Sequence, residues 1–241
     1  MSNQQVLLAL QGTYNIMQVS LFIDEICVKT VTESETRASE TLIPIIDELL
    51  KSKGLKLEDL SAIAIDNGPG AFTSLRVTVV TANAISFASH IPLIGINSLN
   101  ALVYQTKLDC SDLISSSKAT VVAALLNAYN HEVYVSYQPM DKFEVSLLQR
   151  PACLKIETLM SNIENDLKGQ TILFTGNGSI LHKELIVNIP GINALFEDEI
   201  TEHCSSMSVA QMAFKKIRAG DPFVKKLSPE YMKSNMGTLP K

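Results

Sequence analysis

Three short apolar segments with polar breaks between them open the chain. They run from Gln5 to Leu10, from Ile16 to Ile23 and from Ile26 to Thr32, and their length and content predict strands. Because the breaks are short, the three segments predict an antiparallel meander.

A helix is predicted next, over residues 39–53. Its apolar residues recur at helical spacing, at Leu42, Ile43, Ile46, Leu49 and Leu50. Gly54 suits the position just after the last turn, and Pro44 should kink the helix or mark its first turn.

Strands and helices then alternate. Leu60 to Asp66 predicts a strand, Gly68-Pro69-Gly70 a turn, and Thr73 can cap a helix that runs to about residue 88. Pro92 to Asn97 predicts another strand, and Ser98 can cap the helix after it. This alternation is typical of a mainly parallel sheet.

The same order of segments returns about 115 residues later. Strands are predicted at residues 119–127, 132–138, 143–149 and 171–175, and helices at 156–167 and 206–219, before Gly220. The repeat indicates a duplicated α/β fold. We expect two three-layer subdomains with mixed central sheets, over residues 1–108 and 119–220, the second one degenerate, followed by a tail over 221–241.

Charge is distributed unevenly over a chain of ordinary globular composition. Hydrophobic residues make up 46% and charged residues 19% of the chain. Residues 1–214 carry 13 basic and 23 acidic side chains, whereas residues 215–241 carry 7 basic and 2 acidic ones. An anionic body repels nucleic acid, so any contact with RNA must come from the basic tail or from a partner. The alternative for the tail is that its basic side chains are only solvated and bind nothing.

Composition also limits the location of the protein. No apolar run approaches the roughly 18 residues that span a bilayer, and the first residues lack a secretory signal. We expect a cytoplasmic protein with no membrane partner. The four cysteines lie far apart without a Cys-x-x-Cys pair, which favours reduced, mostly buried thiols.

Two glycine turns are candidate anion or nucleotide sites. Gly68 and Gly70 lie between a strand and a helix that carries Arg76, where backbone N–H groups can hold an anion. The lysine of a P-loop is absent, and the alternative is a tight turn with Arg76 paired to an acid. Gly176 and Gly178 form a weaker candidate, for which a plain turn is the alternative.

Catalytic patterns are absent from the sequence. The four histidines are scattered, so no metal site is expected, and no Gly-x-Ser-x-Gly elbow or catalytic cysteine context occurs. Asp66 lies at a strand end and could act as an acid or base, but the sequence shows no obvious second residue to complete an acid–base pair. We expect no catalytic residue and no cofactor.

The string Asn67-Gly-Pro-Gly-Ala-Phe-Thr-Ser-Leu-Arg76, together with the repeated plan, resembles the TsaB (YeaZ) family of the actin-like ATPase superfamily. The resemblance is close over residues 5–105 and looser over 127–134 and 227–233. It implies a duplicated actin-like or RNase H-like fold. It also implies a role in making threonylcarbamoyladenosine beside the anticodon of tRNAs that read codons starting with A.

In that role, the resemblance implies a non-catalytic subunit that binds a TsaD-like transferase and is joined by a TsaE-like ATPase. It implies contact with tRNA through the complex, and a homodimer when the chain is alone. The chain departs from the family at Gln11 and at Asn127-Ala128-Tyr129, where relatives often carry Asp and Asp-Ala-Arg, which puts nucleotide binding in doubt. The alternatives are an independent actin-like ATPase or kinase, and a glycoprotease, which would need a zinc site.

The helix after Gly70 is predicted to contact a second chain, because it carries no charged residue from Val77 to Ser89. Val77, Val80, Ala84 and Phe87 suit the face toward the parent sheet. The opposite face, with help from the 39–53 helix, predicts the partner contact: Ser74, Thr78, Thr81 and Ile85, with Leu42, Ile46 and Leu49. The alternative is cover by another helix of the same chain.

Overall fold

The chain is described here from a computed structural model, which describes residues 4–14, 16–34, 38–112, 119–141, 149–197 and 199–233. It divides into two compact units. The first unit comprises Met1–Ala101 and His203–Pro229, and the second comprises Leu102–Glu202 and Glu230–Lys241. The division falls inside a helix, between Ala101 and Leu102, and not in the segment between the expected subdomains 1–108 and 119–220.

The first unit is built on a five-stranded mixed sheet. Its strands are β1 (Val6–Gln11), β2 (Ile16–Ile23), β3 (Ile26–Ser34), β4 (Ala62–Asp66) and β5 (Leu93–Ile96), in the order β3-β2-β1-β4-β5. The first three strands pair antiparallel, with Leu8 opposite Leu21, so the predicted meander is confirmed. β4 pairs parallel with β1 and β5, with Leu8 opposite Ile63. The central strand β1 is buried at every residue.

Helices cover both faces of this sheet. Helix α1 (Ala38–Lys51) and helix α2 (Phe72–Ser89) share a core with Val19 and Leu21 of β2. The alternate residues of β2 contact the final helix of the chain, Ser206–Ala219. Ser20 hydrogen-bonds Ser206, and the Phe22 ring packs edge to face against the Phe214 ring, with 5.7 Å between the ring centroids. Because neighbouring residues of a strand point to opposite faces, the helices lie on opposite sides of the sheet.

Two predicted helix caps are wrong. Helix α2 begins at Phe72, its N-cap is Ala71, and no side chain caps it, so Thr73 lies inside the first turn. Helix α3 (Ser98–Asp109) begins at Ser98, and the side-chain oxygen of Asn97 accepts the hydrogen bond from the Asn100 N–H. The Ser98 hydroxyl instead bonds Asp66.

The second unit contains another five-stranded sheet. Its strands are β6 (Val121–Asn127), β7 (Glu132–Pro139), β8 (Gln149–Lys155), β9 (Thr171–Thr175) and β10 (Asn193–Phe196), in the order β10-β9-β6-β7-β8. β6, β7 and β8 pair antiparallel, and β9 pairs parallel with β6 and β10. The predicted strand at 143–149 lies outside the described residues except for Gln149, and the sequence does not predict β10.

The helices of the second unit are short. They are α4 (Ile156–Asp166), α5 (Asn177–Leu181) and α6 (Lys183–Ile186). Ile156, Leu159 and Ile163 of α4 lie in the core of this unit, at the helical spacing of its sequence. Across the described segments, no helix combines the length and the apolar character needed to cross a membrane.

The two sheets have the same plan, since each has three antiparallel strands and then two parallel ones in matching order. This confirms the expected duplicated actin-like α/β fold. The final helix α7 (Ser206–Ala219) packs on β1, β2, β4 and β5, so residues 203–229 join the first unit. The expected second subdomain over 119–220 differs from this division, because the apolar face of α7 is buried against the first sheet.

Helix α3 shows the converse exchange. Its last turns belong to the second unit, where Thr106 Oγ1 donates to Thr175 Oγ1 at 3.0 Å and Lys107 Nζ donates to Gln138 Oε1 at 3.3 Å. Each unit therefore contains helical residues that come after the strands of the other unit in the sequence.

Candidate functional site

Polar groups gather at the carboxyl ends of β1 and β4 in the first unit. Asp66, the last residue of β4, is fully buried, and its Oδ2 accepts hydrogen bonds from Thr13 Oγ1 at 3.0 Å and Cys204 Sγ at 3.4 Å. Its Oδ1 accepts from the Gly68 N–H at 3.1 Å and from the Ser98 hydroxyl. Donors from four places in the chain therefore surround one carboxyl group.

Burial dominates the electrostatics of this cluster. It raises the pKa of Asp66 above the ordinary value of 3.8, and outweighs the four hydrogen bonds, which lower that pKa. Burial and the neighbouring carboxyl also raise the pKa of the Cys204 thiol well above its usual value. A protonated, enclosed thiol is a hydrogen-bond donor and a poor nucleophile.

The end of β1 adds an amide to the cluster. Gln11 is fully buried, and its Nε2 donates to the Thr13 hydroxyl at 3.0 Å. Asp66 is thus the only carboxylate in the hydrogen-bonded cluster that the described residues form. Within those residues, no group of three or more His, Cys, Asp or Glu side chains is placed to hold a metal ion.

The glycine turn after β4 is packed closely against its own unit. A Cβ atom at Gly70 would lie 2.7 Å from Cγ2 of Thr13, and one at Gly12 would lie 2.2 Å from Oγ1 of Thr78. Gly68 has a φ of +106°, in the region that favours glycine. These contacts favour the tight-turn alternative over an anion site at Gly68 and Gly70.

The other residues of the candidate anion sites also have structural contacts. The guanidinium carbon of Arg76 lies 3.5 Å from the centroid of the Phe72 ring, a cation–π contact within one turn of α2. A Cβ atom at Gly176 would lie 2.1 Å from the carbonyl oxygen of Leu125, and one at Gly178 would lie 3.0 Å from the same group. Both glycines therefore let α5 approach β6 closely.

The face of helix α2 that packs on the core is opposite to the face that the sequence predicts. Its buried residues are Ser74, Leu75, Thr78, Val79, Ala82 and Ser86. The predicted sheet-facing residues Val80 and Phe87 are instead 63% and 85% exposed, Ala84 is exposed, and Val77 is half-buried. From Val77 to Ser89 the helix carries no charged residue to mark its outer face, so the sequence pattern predicts the wrong orientation.

Most of the predicted partner contacts are consequently unavailable to a second chain. Ser74 and Thr78 are buried, whereas Thr81 and Ile85 are half-buried. On α1, the predicted contact residues belong to the core of the first unit: Leu42, Ile46 and Leu49. The neighbouring Ile43 is 61% exposed. The exposed apolar side chains of α1 and α2 therefore include Ile43, Val80, Ala84 and Phe87, together with Phe72 in the first turn of α2.

The sequence singles out Asp66 but misses its donors. Thr13 and Ser98 each follow the end of a buried strand, a placement that could have suggested them. Cys204 is distant in sequence, and nothing near it in the chain signals its contact with Asp66.

Two equal sheet plans with helices on their faces define a duplicated α/β protein of the actin-like class. A family model described as "TsaD: tRNA N6-adenosine threonylcarbamoyltransferase" matches residues 32–232. The chain belongs to this family, and the TsaB (YeaZ) assignment made from the glycine motif is confirmed by its named relatives.

Two of these relatives are called tRNA threonylcarbamoyladenosine biosynthesis protein TsaB. The one from Haemophilus influenzae is 32% identical over 43% of this chain and 41% of its own length. The one from Bacillus subtilis is 24% identical over 87% of this chain and 86% of its own. The chain thus matches less than half of the length of the Haemophilus protein.

The solved structure of YeaZ from Pseudomonas aeruginosa is similar in fold. Its TM-score is 0.72 at 21% identity, and the match covers 94% of this chain and 99% of that one. This similarity supports the fold that the two sheets define.

Proposed function

We propose that the chain is a subunit of the machinery that makes N6-threonylcarbamoyladenosine next to the anticodon of tRNAs that read codons starting with A. The family match over residues 32–232 carries this proposal, together with the TsaB names of relatives that align with most of the chain. In this role, the chain binds and supports a TsaD-like transferase, a TsaE-like ATPase joins them, and the chain pairs with itself when alone.

The buried Asp66 cluster supports a role without chemistry of its own. Asp66 is enclosed by Thr13, Ser98, Gly68 and Cys204, and Gln11 provides an amide where a second acid could help to bind a metal. An actin-like ATPase or kinase must present carboxylate oxygens to a metal and an attacking water. The alternative of an independent ATPase or kinase therefore receives no support from this cluster, and a glycoprotease receives none from the histidines.

The exposed residues of α1 and α2 are the surface that we propose for a second chain. Val80, Ala84 and Phe87 follow one another at spacings of four and three residues, so they share one face of α2. Exposed apolar side chains on packed helices suit a protein interface. This surface replaces the buried Ser74 and Thr78 in the role of partner contact, and it suits both self-pairing and a TsaD-like transferase.

The segment after α7 supports a separate contact with tRNA. Val224 pairs with Leu93 at the edge of the first sheet, and the Asn83 amide exchanges two hydrogen bonds with the backbone of Leu227. Lys225 and Lys226 lie between these points and are exposed. Fixed, exposed cations suit phosphate contacts.

The experiment replaces both Val80 and Phe87 with Arg. Two cations on an apolar interface should abolish association, because each must be desolvated without a partner. We expect the solution mass from light scattering to fall to that of one chain, and a purified TsaD-like transferase to be no longer retained. The matched control is Ile26→Arg, since Ile26 is 68% exposed in the same unit but lies at the hairpin between β2 and β3.

Circular dichroism establishes that the double variant is folded. If the folded double variant still pairs with itself and still binds the transferase, the interface does not involve this face of α2. If Ile26→Arg disrupts association equally, the effect is not specific to α2.

A further inference from the structure

The chain segment that follows α7 is fixed to the first unit at two points. The backbone N–H of Val224 donates to the Leu93 carbonyl oxygen at 3.1 Å, and the Leu93 N–H donates to the Val224 carbonyl oxygen at 2.8 Å. The side-chain amide of Asn83 bonds both the carbonyl oxygen and the N–H of Leu227, at 2.9 and 2.8 Å. The backbone between these two anchors is therefore held in place.

Two prolines bound this stretch, which reads Pro222-Phe-Val-Lys-Lys-Leu-Ser-Pro229 and is called the edge segment below. Proline fixes its own φ near −65° and so restricts the backbone. The Ser86 hydroxyl adds a hydrogen bond to the carbonyl oxygen of Lys225 at 3.3 Å. Because a backbone that is already ordered loses less entropy on binding, the edge segment presents its side chains to a ligand at low cost.

The edge segment carries two exposed cations, Lys225 and Lys226. Within the part of the chain that the structure describes, neither ammonium group forms an ion pair. The segment contains no acidic residue. Three basic residues outside it have partners within the chain, namely Lys216, Arg218 and Lys233. The basic end of the chain therefore offers far fewer cations to a ligand than its sequence suggests.

An exposed aromatic ring accompanies these cations. Phe223 is 47% exposed, and it precedes the anchored Val224 by one residue and Lys225 by two. Since two residues of chain span at most about 7 Å, the Cα atoms of Phe223 and Lys225 are neighbours on this edge. An aromatic ring beside cations is the combination that binds unpaired bases together with their phosphates.

The small number of cations limits the class of ligand. Membrane surfaces are recognised by clusters of about 4–8 basic residues, and duplexes by phosphate contacts spread along their length. Two lysines provide neither. One base stacked on an aromatic ring raises affinity roughly fivefold to a hundredfold, but the bases of a duplex are already stacked on each other. The edge segment therefore suits a single strand.

We propose that the edge segment binds an unpaired stretch of RNA, with one base stacked on Phe223 and two phosphates at Lys225 and Lys226. This inference rests on the proposed function, which brings the chain to tRNA, and it specifies how the segment after α7 makes that contact. Loops and ends of a folded RNA present such unpaired bases. The contact is weak by itself and adds to the contacts of other subunits in a complex.

The test adds the full chain to a fluorescent single-stranded RNA of about ten nucleotides and follows its anisotropy. We expect a dissociation constant of about 10⁻⁴ M at low salt. The logarithm of the affinity should fall against the logarithm of the salt concentration with a slope of about −1.4, because each of two phosphates contributes about −0.7. A duplex of the same sequence should bind less tightly.

Two kinds of variant separate the ring from the charges. Phe223→Leu keeps an apolar side chain without a ring and should weaken binding about tenfold at an unchanged salt slope, whereas Phe223→Tyr should retain most of the affinity. Replacing both Lys225 and Lys226 with Gln should bring the salt slope close to zero. The matched control replaces both Lys53 and Lys56 with Gln, since these lysines are exposed in the same unit and carry the same charge.

The proposal is overturned if the RNA does not bind up to about 1 mM, tenfold above the expected dissociation constant. It is equally overturned if Phe223→Leu and Phe223→Tyr bind alike, or if the duplex binds as tightly as the single strand. Binding to phosphatidylserine vesicles in place of RNA would assign the edge segment to a membrane surface. Circular dichroism establishes that each variant is folded.

The proposed function is tested separately, by retention of the TsaD-like transferase. That contact is proposed for α2, so Phe223→Leu should still retain the transferase. A native chain that binds the RNA as expected but retains no transferase would contradict the proposed function and support the RNA site.

Discussion

The two units share a sheet plan but differ at the carboxyl ends of their central parallel strands. In the first unit, β4 ends in Asp66, which is fully buried. Its carboxyl group accepts hydrogen bonds from Thr13, Ser98, Gly68 and Cys204. In the second unit, β9 ends in Thr175, which is also buried, but an open cavity lined by Asn127 of β6 and Leu181 of α5 lies at this edge of the sheet. The same order of strands therefore leads to a filled edge in one unit and an accessible edge in the other.

The final residue of each strand explains much of this difference. A buried carboxyl group needs several donors, because an unsatisfied or unpaired charge inside a protein is costly. Thr175 needs only one or two partners: its hydroxyl accepts a hydrogen bond from the Thr106 hydroxyl and donates one to the Thr201 carbonyl oxygen. Duplicated folds can thus retain their core pattern while the strand ends diverge.

The largest expected effect separates the two edges directly. Asp66→Ala removes the acceptor for four donors and should lower the free energy of unfolding by about 4 kcal/mol. The corresponding Thr175→Ala should cost about 1.5 kcal/mol, because fewer groups lose a partner. Urea denaturation of both variants measures the difference. Equal costs at the two positions would contradict the distinction between a filled and an open edge.

A second prediction concerns the close approach of α5 to β6. Gly176→Ala should lower the free energy of unfolding by about 3 kcal/mol, because the added Cβ atom would lie 2.1 Å from the Leu125 carbonyl oxygen. The matched control is Gly169→Ala, where φ is also positive, at +79°, but no atom lies within 4 Å. Its cost should be about 1 kcal/mol, from backbone strain alone. Similar melting temperatures for the two variants would show that α5 can move away from β6.

The smallest expected effect is the pH dependence due to Asp66. Burial raises its pKa in the folded chain above 3.8, so the folded chain holds this proton at pH values where the unfolded chain has released it. As the pH rises from 3.8 through the raised pKa, stability must fall, by less than about 1.4 kcal/mol per pH unit. Asp66→Asn cannot titrate and should lack this component.

Denaturation of the native chain and of Asp66→Asn at a series of pH values isolates the component, because all other groups cancel in the difference. The stability of the native chain should fall relative to that of the variant as the pH rises. A difference that stays constant with pH, or that changes in the opposite direction, would show that the carboxyl group is ionised in the folded chain.

Periodicity predicts most of this architecture because buried strands and amphipathic helices have distinct patterns. The meander β1–β3, the strands β4 and β9 and the helices α1 and α4 follow their apolar spacing. The edge strand β10 escapes prediction, since its four residues are only partly buried or exposed and give no strong signal.

The orientation of α2 could not be predicted for a different reason. Small polar residues such as Thr78 face inward because Gly12 approaches them closely, and the larger Val80 and Phe87 are left outside. That choice depends on a contact between residues distant in sequence. The donors around Asp66 share this property, because Cys204 reaches the cluster only once α7 is in place.

The position of α7 in the sequence has a consequence for synthesis on the ribosome. All five strands of the first sheet are complete by Ile96, but the helix that covers Ser20 and Phe22 begins at Ser206. At about 5–20 residues per second, roughly 5–20 s pass between the two. During that time, one face of the first sheet and the carboxyl group of Asp66 lack their cover, so the nascent chain has to remain soluble until its last helix emerges.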